Sequence, residues 1–126
     1  MKAEDLMIGD WVTFQGVPQQ VTYLNLDDGE RVGTTEQYFA QITECFEPIP
    51  LTPELLEKNG IKKDINGRLF GEYFEEDKDY SLEISMRKDG IYWSINYDEY
   101  RILKLEYVHE LQHALKLCGI EKEIEL

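Results

Sequence analysis

Hydrophobic and polar positions alternate most regularly between residues 80 and 97. Tyr80, Leu82, Ile84 and Met86 alternate with Ser81, Glu83, Ser85 and Arg87; beyond Asp89-Gly90, Ile91, Trp93, Ile95 and Tyr97 alternate with Tyr92, Ser94 and Asn96. A period of two places every second side chain on one face of a strand. Asp-Gly between two such runs favours a two-residue hairpin turn. Closing the turn on Asp89-Gly90 sets Met86 opposite Trp93, Ile84 opposite Ile95 and Leu82 opposite Tyr97. Turn chemistry and hydrophobic pattern then agree, because all six residues share a face. Asn66-Gly67 marks an earlier turn into a neighbouring strand over 69–74, and Arg101–Leu105 supplies another.

The first half carries shorter runs. Trp11–Phe14 ends at Gly16, and Gln20–Leu24 follows, with Val21 and Tyr23 alternating against Thr22. Asp27-Asp28-Gly29 is a turn signal, since Gly accepts positive φ and Asp bonds its own backbone. Arg31–Thr34 and Gln41–Phe46 complete the set. Several short strands with tight turns in so few residues predict a small, partly open, SH3-like barrel. Pro48-Ile49-Pro50-Leu51 is an extended connector, because each proline disfavours helix in the residue before it. A short helix then begins with Thr52 as N-cap, Pro53 at the first helical position and Glu54 at the positive dipole end. Asn59-Gly60 ends it.

Near the C-terminus the period changes to that of a helix. From about Glu106 to Cys118, the residues Tyr107, Val108, Leu111, Ala114, Leu115 and Cys118 form one stripe, and Gly119 suits the C-cap. Glu121–Leu126 is a tail able to add an edge strand. The pattern as a whole predicts an α+β fold, mainly antiparallel β. It combines an SH3-like small barrel in the N-terminal half, a β-hairpin meander and one C-terminal amphipathic helix. The expected organisation is a single compact domain over 1–126, divisible into lobes 1–50 and 51–126.

Composition adds constraints. The chain has 126 residues, 42% of them hydrophobic, enough to bury a core without metal or disulfide staples. Its 26 acidic and 13 basic residues give a formal net charge of −13, which repels phosphate backbones. No Lys/Arg cluster opposes that, so nucleic acid is not an expected partner. The acidic stretch Glu72–Asp79 reads as a solvated strand end and turn; a sharper reading is a DNA-mimicking surface for a basic protein. No long apolar run opens the chain, so neither a signal peptide nor a membrane segment is expected. Cys45 and Cys118 form no CxxC motif. Both read as reduced, buried residues of a cytoplasmic protein, although spacing does not decide whether they pair. Trp11, Tyr92 and Trp93 could line a peptide groove but read more simply as core or half-buried strand residues.

One motif suggests chemistry. His109-Glu110-Leu111-Gln112-His113 matches H-E-x-x-H, in which two histidines one helical turn apart bind zinc and the glutamate acts as general base. At about 100° per residue, both histidines project from the face opposite the apolar stripe. That face could meet a second wall or bulk solvent. The third ligand is the difficulty. Gly119 stands where the compact form of the motif would place a histidine, and Lys116 replaces its glycine. The remaining chain offers only Glu121, Glu123 and Glu125, with no room for another helix. Two histidines without a third protein partner fall short of a catalytic zinc set. No P-loop, dinucleotide fingerprint, nucleophile elbow or EF-hand loop is present, and no cofactor is expected.

Three segments carry a resemblance. Asp5–Val12 resembles an opening "LRIGNxV" pattern, and Pro48–Leu56 resembles a central "PIPLTEEWL" pattern, followed by a similar step at Asn59-Gly60-Ile61. Tyr107–His113 resembles a closing "YVHQLQN" helix. These patterns belong to small uncharacterised proteins of gut bacteria, often found in prophages and other mobile elements. The resemblance implies no activity. It does imply that Gln ordinarily stands at Glu110 and Asn at His113, whereas His109, Leu111 and Gln112 match. That suits packing or partner contact better than catalysis, and the HELQH face is expected to be exposed or partner-facing. The function expected is therefore that of a non-enzymatic protein-binding or accessory protein. The alternatives are a small zinc-dependent hydrolase using His109, Glu110 and His113, and an acidic DNA mimic acting on a basic nucleic-acid enzyme.

Overall fold

The computed structural model describes residues 1–27, 30–35, 41–60, 62–63, 69–70, 82–87, 89–95, 103–117 and 122–126. Its strands are β1 (Trp11–Phe14), β2 (Val17–Asn25), β3 (Arg31–Thr34), β4 (Gln41–Ile42), β5 (Phe46–Pro48), β6 (Lys62–Lys63), β7 (Leu69–Phe70), β8 (Leu82–Arg87), β9 (Gly90–Ile95) and β10 (Leu103–Leu105). Two α-helices, α1 (Pro53–Lys58) and α2 (Val108–Leu117), and two 3-10 turns, Ala3–Asp5 and Thr43–Cys45, complete the described elements. The fold is α+β with antiparallel strand pairing and a C-terminal helix. The chain divides into two compact units, Met1–Pro50 with Tyr107–His109, and Leu51–Glu106 with Glu110–Leu126. No helix among the described residues is long and apolar enough to cross a membrane.

In the first unit, five strands form a sheet in the order β4-β3-β2-β1-β5. Phe14 lies opposite Val17, and both connecting residues have positive φ, Gln15 at 50° and Gly16 at 78°. Two positive φ values in a row are the mark of a type I′ hairpin turn, whose twist suits the flanking strands. The second strand therefore starts at Val17, earlier than the expected Gln20. Pro18 is tolerated there because β3 pairs with β2 only from Val21 onward, so the Pro18 stretch has one neighbour strand. The predicted strand Gln41–Phe46 is instead broken: β4 pairs with β3, the 3-10 turn at Thr43–Cys45 redirects the chain, and β5 pairs with β1. Opposite ends of the strand order cannot be served by one straight strand. Ala3, Leu6, Val12, Val21, Val32 and Phe46 form the buried core, with Phe14 and Leu24 packed against it. The Phe14 and Phe46 rings pack across the β1–β5 pair at a 45° tilt, their centroids 5.3 Å apart.

That core has polar company. Asp10 is fully buried and accepts the Met7 N–H at 2.7 Å, while Val21 N–H bonds the Asp10 carbonyl at 2.9 Å. The Thr34 hydroxyl donates to the Gln19 side-chain oxygen, and both residues are buried. Cys45, expected in the interior, is a free and exposed thiol. It ends a 3-10 turn whose buried member is Thr43, and the next inward position is Phe46. Cys118 lies outside the described residues.

In the second unit, the hairpin forms with a different register. Met86 lies opposite Ile91, Ile84 opposite Trp93, Leu82 opposite Ile95 and Arg87 opposite Gly90. Gly90 thus opens β9 instead of closing the turn, which moves back by one position. The pairing slips by two residues, so the alternation in register is the one expected. Gly90 has a φ of 149°, and a Cβ there would stand 2.7 Å from Lys104 Cε on β10. The Tyr92 hydroxyl donates to Asp89 Oδ2 at 2.6 Å beside the turn. Ile84 and Ile91 are buried, and Trp93 and Tyr92 are half-buried, as is Trp11 in the first unit. The third strand of this sheet, β10, falls within the predicted run, and β6 and β7 form a separate small ribbon. Tyr97 and most of the 69–74 run lie outside the described residues, as does the acidic stretch 72–79.

Helix α1 forms as the sequence indicates. Thr52 Oγ1 accepts the Leu55 N–H at 3.2 Å, Pro53 stands at the first helical position and Leu56 is fully buried.

Candidate functional site

The H-E-x-x-H motif, His109 to His113, lies in the first half of α2. In the first unit, Tyr107 makes an antiparallel bridge with Pro50, and the Val108 N–H bonds the Ile49 carbonyl at 2.8 Å. In the second unit, the Leu51 N–H bonds the Glu106 carbonyl at 2.9 Å. The chain thus enters the helix from an extended, paired segment. A helix beginning this way leaves its first N–H groups in need of acceptors.

Glu110, third residue of α2, instead ties down the chain just ahead of the helix. Its Oε1 accepts the backbone N–H of Glu106 at 3.0 Å. This is close kin to a capping box, in which a glutamate in the first turn reaches back to the chain before the helix. The carboxylate also stands at the positive end of the helix dipole. The bond joins the first turn of α2 to the backbone just before it.

His109 is buried, at 6% exposure, and its ring stacks on Tyr107 with centroids 5.8 Å apart and planes 8° from parallel. His113, Glu110 and Gln112 are half-buried. Of the face expected to be exposed or partner-facing, His109 is thus buried and the other three residues are half-buried. Val108, Leu111, Ala114 and Leu115 are all buried, so the apolar stripe has its expected role. Among the described residues, no group of three or more His, Cys, Asp or Glu side chains is placed to hold a metal ion. Of the tail carboxylates, Glu123 and Glu125 are exposed, and Glu121 lies outside the described residues.

A second polar constellation lies at the C-terminal end of α1. Asn59, read from sequence only as a helix stop, is buried at 5% exposure. Its Nδ2 donates to the Leu55 carbonyl and to the Glu125 carbonyl, each at 2.8 Å, and its Oδ1 accepts the Glu125 N–H at 2.8 Å. Lys58 Nζ donates to the Leu126 carbonyl. Ile124 is buried beside this contact in sequence, while Glu123 and Glu125 point their charges to solvent. The predicted edge strand at the tail is thus an irregular segment, with a side-chain amide as its backbone partner. An Asn before Gly at a helix end signals a cap; nothing local signals a second chain segment bound to it.

Comparison with protein-family models, with curated proteins and with solved structures gives no match.

Proposed function

We propose that this protein is a non-enzymatic binding or accessory protein that acts by recognising another protein. The observation that carries this reading is the commitment of Glu110 to the Glu106 N–H, which gives the one catalytic-looking carboxylate a structural task. The burial of His109 on Tyr107 supports it in the same way. The reading includes an SH3-like small barrel for the first unit. Its support is topological. In a flat sheet, β4 and β5 would stand four strand spacings apart, about 19 Å. They are joined by a single 3-10 turn of three residues, Thr43–Cys45, rising about 2 Å per residue. Such a link favours a strongly coiled sheet, and a five-strand meander whose last strand returns beside its first is the connectivity of small barrels. Small barrels host many functions, so this part is an analogy of fold. The reading further places the chain with the small proteins of gut-bacterial mobile elements, on the three sequence patches, and in the cytoplasm, which suits the free Cys45 thiol.

The test is affinity capture from a gut-bacterial lysate at low and at moderate salt, with an E110A variant in parallel. A discrete protein retained at both salt levels is the expected result. Retention of nothing, or only of basic proteins that elute at moderate salt, would count against specific recognition. Metal analysis of protein purified without a histidine tag addresses the hydrolase alternative, and stoichiometric zinc would revive it.

A further inference from the structure

We infer that the Asn59 slot at the C-terminal end of α1 is a receptor for an extended peptide, and that residues 122–126 occupy it as a releasable strap. The inference deepens the protein-binding reading by giving it a site, and it rests on that reading for its biological use.

The geometry is that of strand pairing carried out by one side chain. A carboxamide presents a C=O and an N–H side by side, as a peptide group does. Asn59 uses both on a single residue: Oδ1 takes the Glu125 N–H and Nδ2 gives to the Glu125 carbonyl. The same Nδ2 also bonds the Leu55 carbonyl, which fixes the amide's orientation before any tail arrives. Lys58 adds a bond to the next carbonyl along, that of Leu126. Recognition of this kind reads main chain, as in strand addition to a sheet edge, and tolerates many sequences. One side chain is read as well. Ile124 is buried, whereas its neighbours Glu123 and Glu125 are exposed and contribute no selectivity. The ligand so defined is an extended segment with an aliphatic anchor, a freely varied residue paired to Asn59, and a carbonyl for Lys58 one step later. The chain's own tail meets this description, and a partner segment of the same form would compete with it. Tethering gives the tail an effective concentration in the millimolar range, so the slot is closed to weak competitors until the strap is loosened.

The test uses the full chain and a fluorescein-labelled synthetic peptide copying residues 122–126, read by fluorescence anisotropy. An Ile124→Asp variant withdraws the anchor and frees the slot. Peptide binding at least about tenfold tighter to I124D than to the unaltered protein is expected, on the effective-concentration argument. A peptide carrying Asp in place of its isoleucine should not bind. Adding Asn59→Asp, which keeps the acceptor and removes the donor, should abolish the gain. The inference is overturned if folded I124D binds the peptide no better than the unaltered protein, or if all variants bind it equally. It is also overturned if I124D loses its circular dichroism signature, because the tail would then be part of the core. A slot that binds the peptide while lysate capture retains nothing would separate this inference from the broader functional reading.

Discussion

Glu110 ties the start of α2 to the Glu106 backbone, and Gly90 holds a backbone angle closed to other residues. H-E-x-x-H is a pattern of identities, and the identities are satisfied here by a helix cap and a stacked, buried histidine. The cap predicts a measurable cost. Glu110→Ala should lower stability by about 0.5–1.5 kcal/mol, the usual net worth of one hydrogen bond. Glu110→Gln retains an oxygen acceptor and should lose only about 0.3–1 kcal/mol, the dipole contribution. Urea midpoints of the two variants, each with its own slope, would check the order. Gly90 makes the second case. Gly90→Ala should destabilise by about 1–3 kcal/mol because φ near 149° strains any residue with a Cβ. The Lys104 stem is a flexible obstacle, so Lys104→Ala should not rescue G90A; full rescue would show that crowding, not backbone strain, sets the cost.

Elements were most readable where local chemistry alone decides them. Thr52-Pro53-Glu54 and Asn59-Gly60 bracket α1 because capping acts within one turn, and β1 and β3 run over the residues predicted. Pairing was harder. The Asp-Gly signal is compatible with two turn positions that differ by two residues in register, and both keep the same residues in step, so the local pattern does not choose between them. The break between β4 and β5 depends on which edge each strand joins, a non-local matter that propensity does not carry. Asn59 was invisible as a tail anchor for the same reason: its partner, Glu125, is remote in sequence. The β1–β2 turn offers a test at this scale. Gln15 holds a positive φ that asparagine and glycine adopt more readily, so Gln15→Asn should raise stability by up to about 1 kcal/mol, part of the left-handed penalty, measured by thermal or urea unfolding.

Across the whole molecule, charge is the dominant property. Twenty-six acidic residues against 13 basic ones leave −13 to be carried by 126 residues. Self-repulsion of that kind destabilises the compact state and is screened by salt. Stability should therefore rise by on the order of 1 kcal/mol between about 0.02 M and 0.5 M NaCl, the scale of exposed charge interactions. Potassium chloride should act equally, because the effect is screening and not ion binding. A flat or falling urea midpoint would mean that favourable surface ion pairs, such as Lys104–Glu106, outweigh the net repulsion.

The membership of Tyr107–His109 in the first unit has a consequence for biosynthesis. A ribosome releases the five strands of that unit long before it releases the three residues that complete it. The Ile49 carbonyl, bonded to the Val108 N–H in the finished protein, must wait while residues 51–106 are made. A nascent chain arrested after residue 50 should thus be more protease-sensitive across β1–β5 than the same stretch in the full-length product. The N-terminal unit is first to be translated and among the last to be sealed.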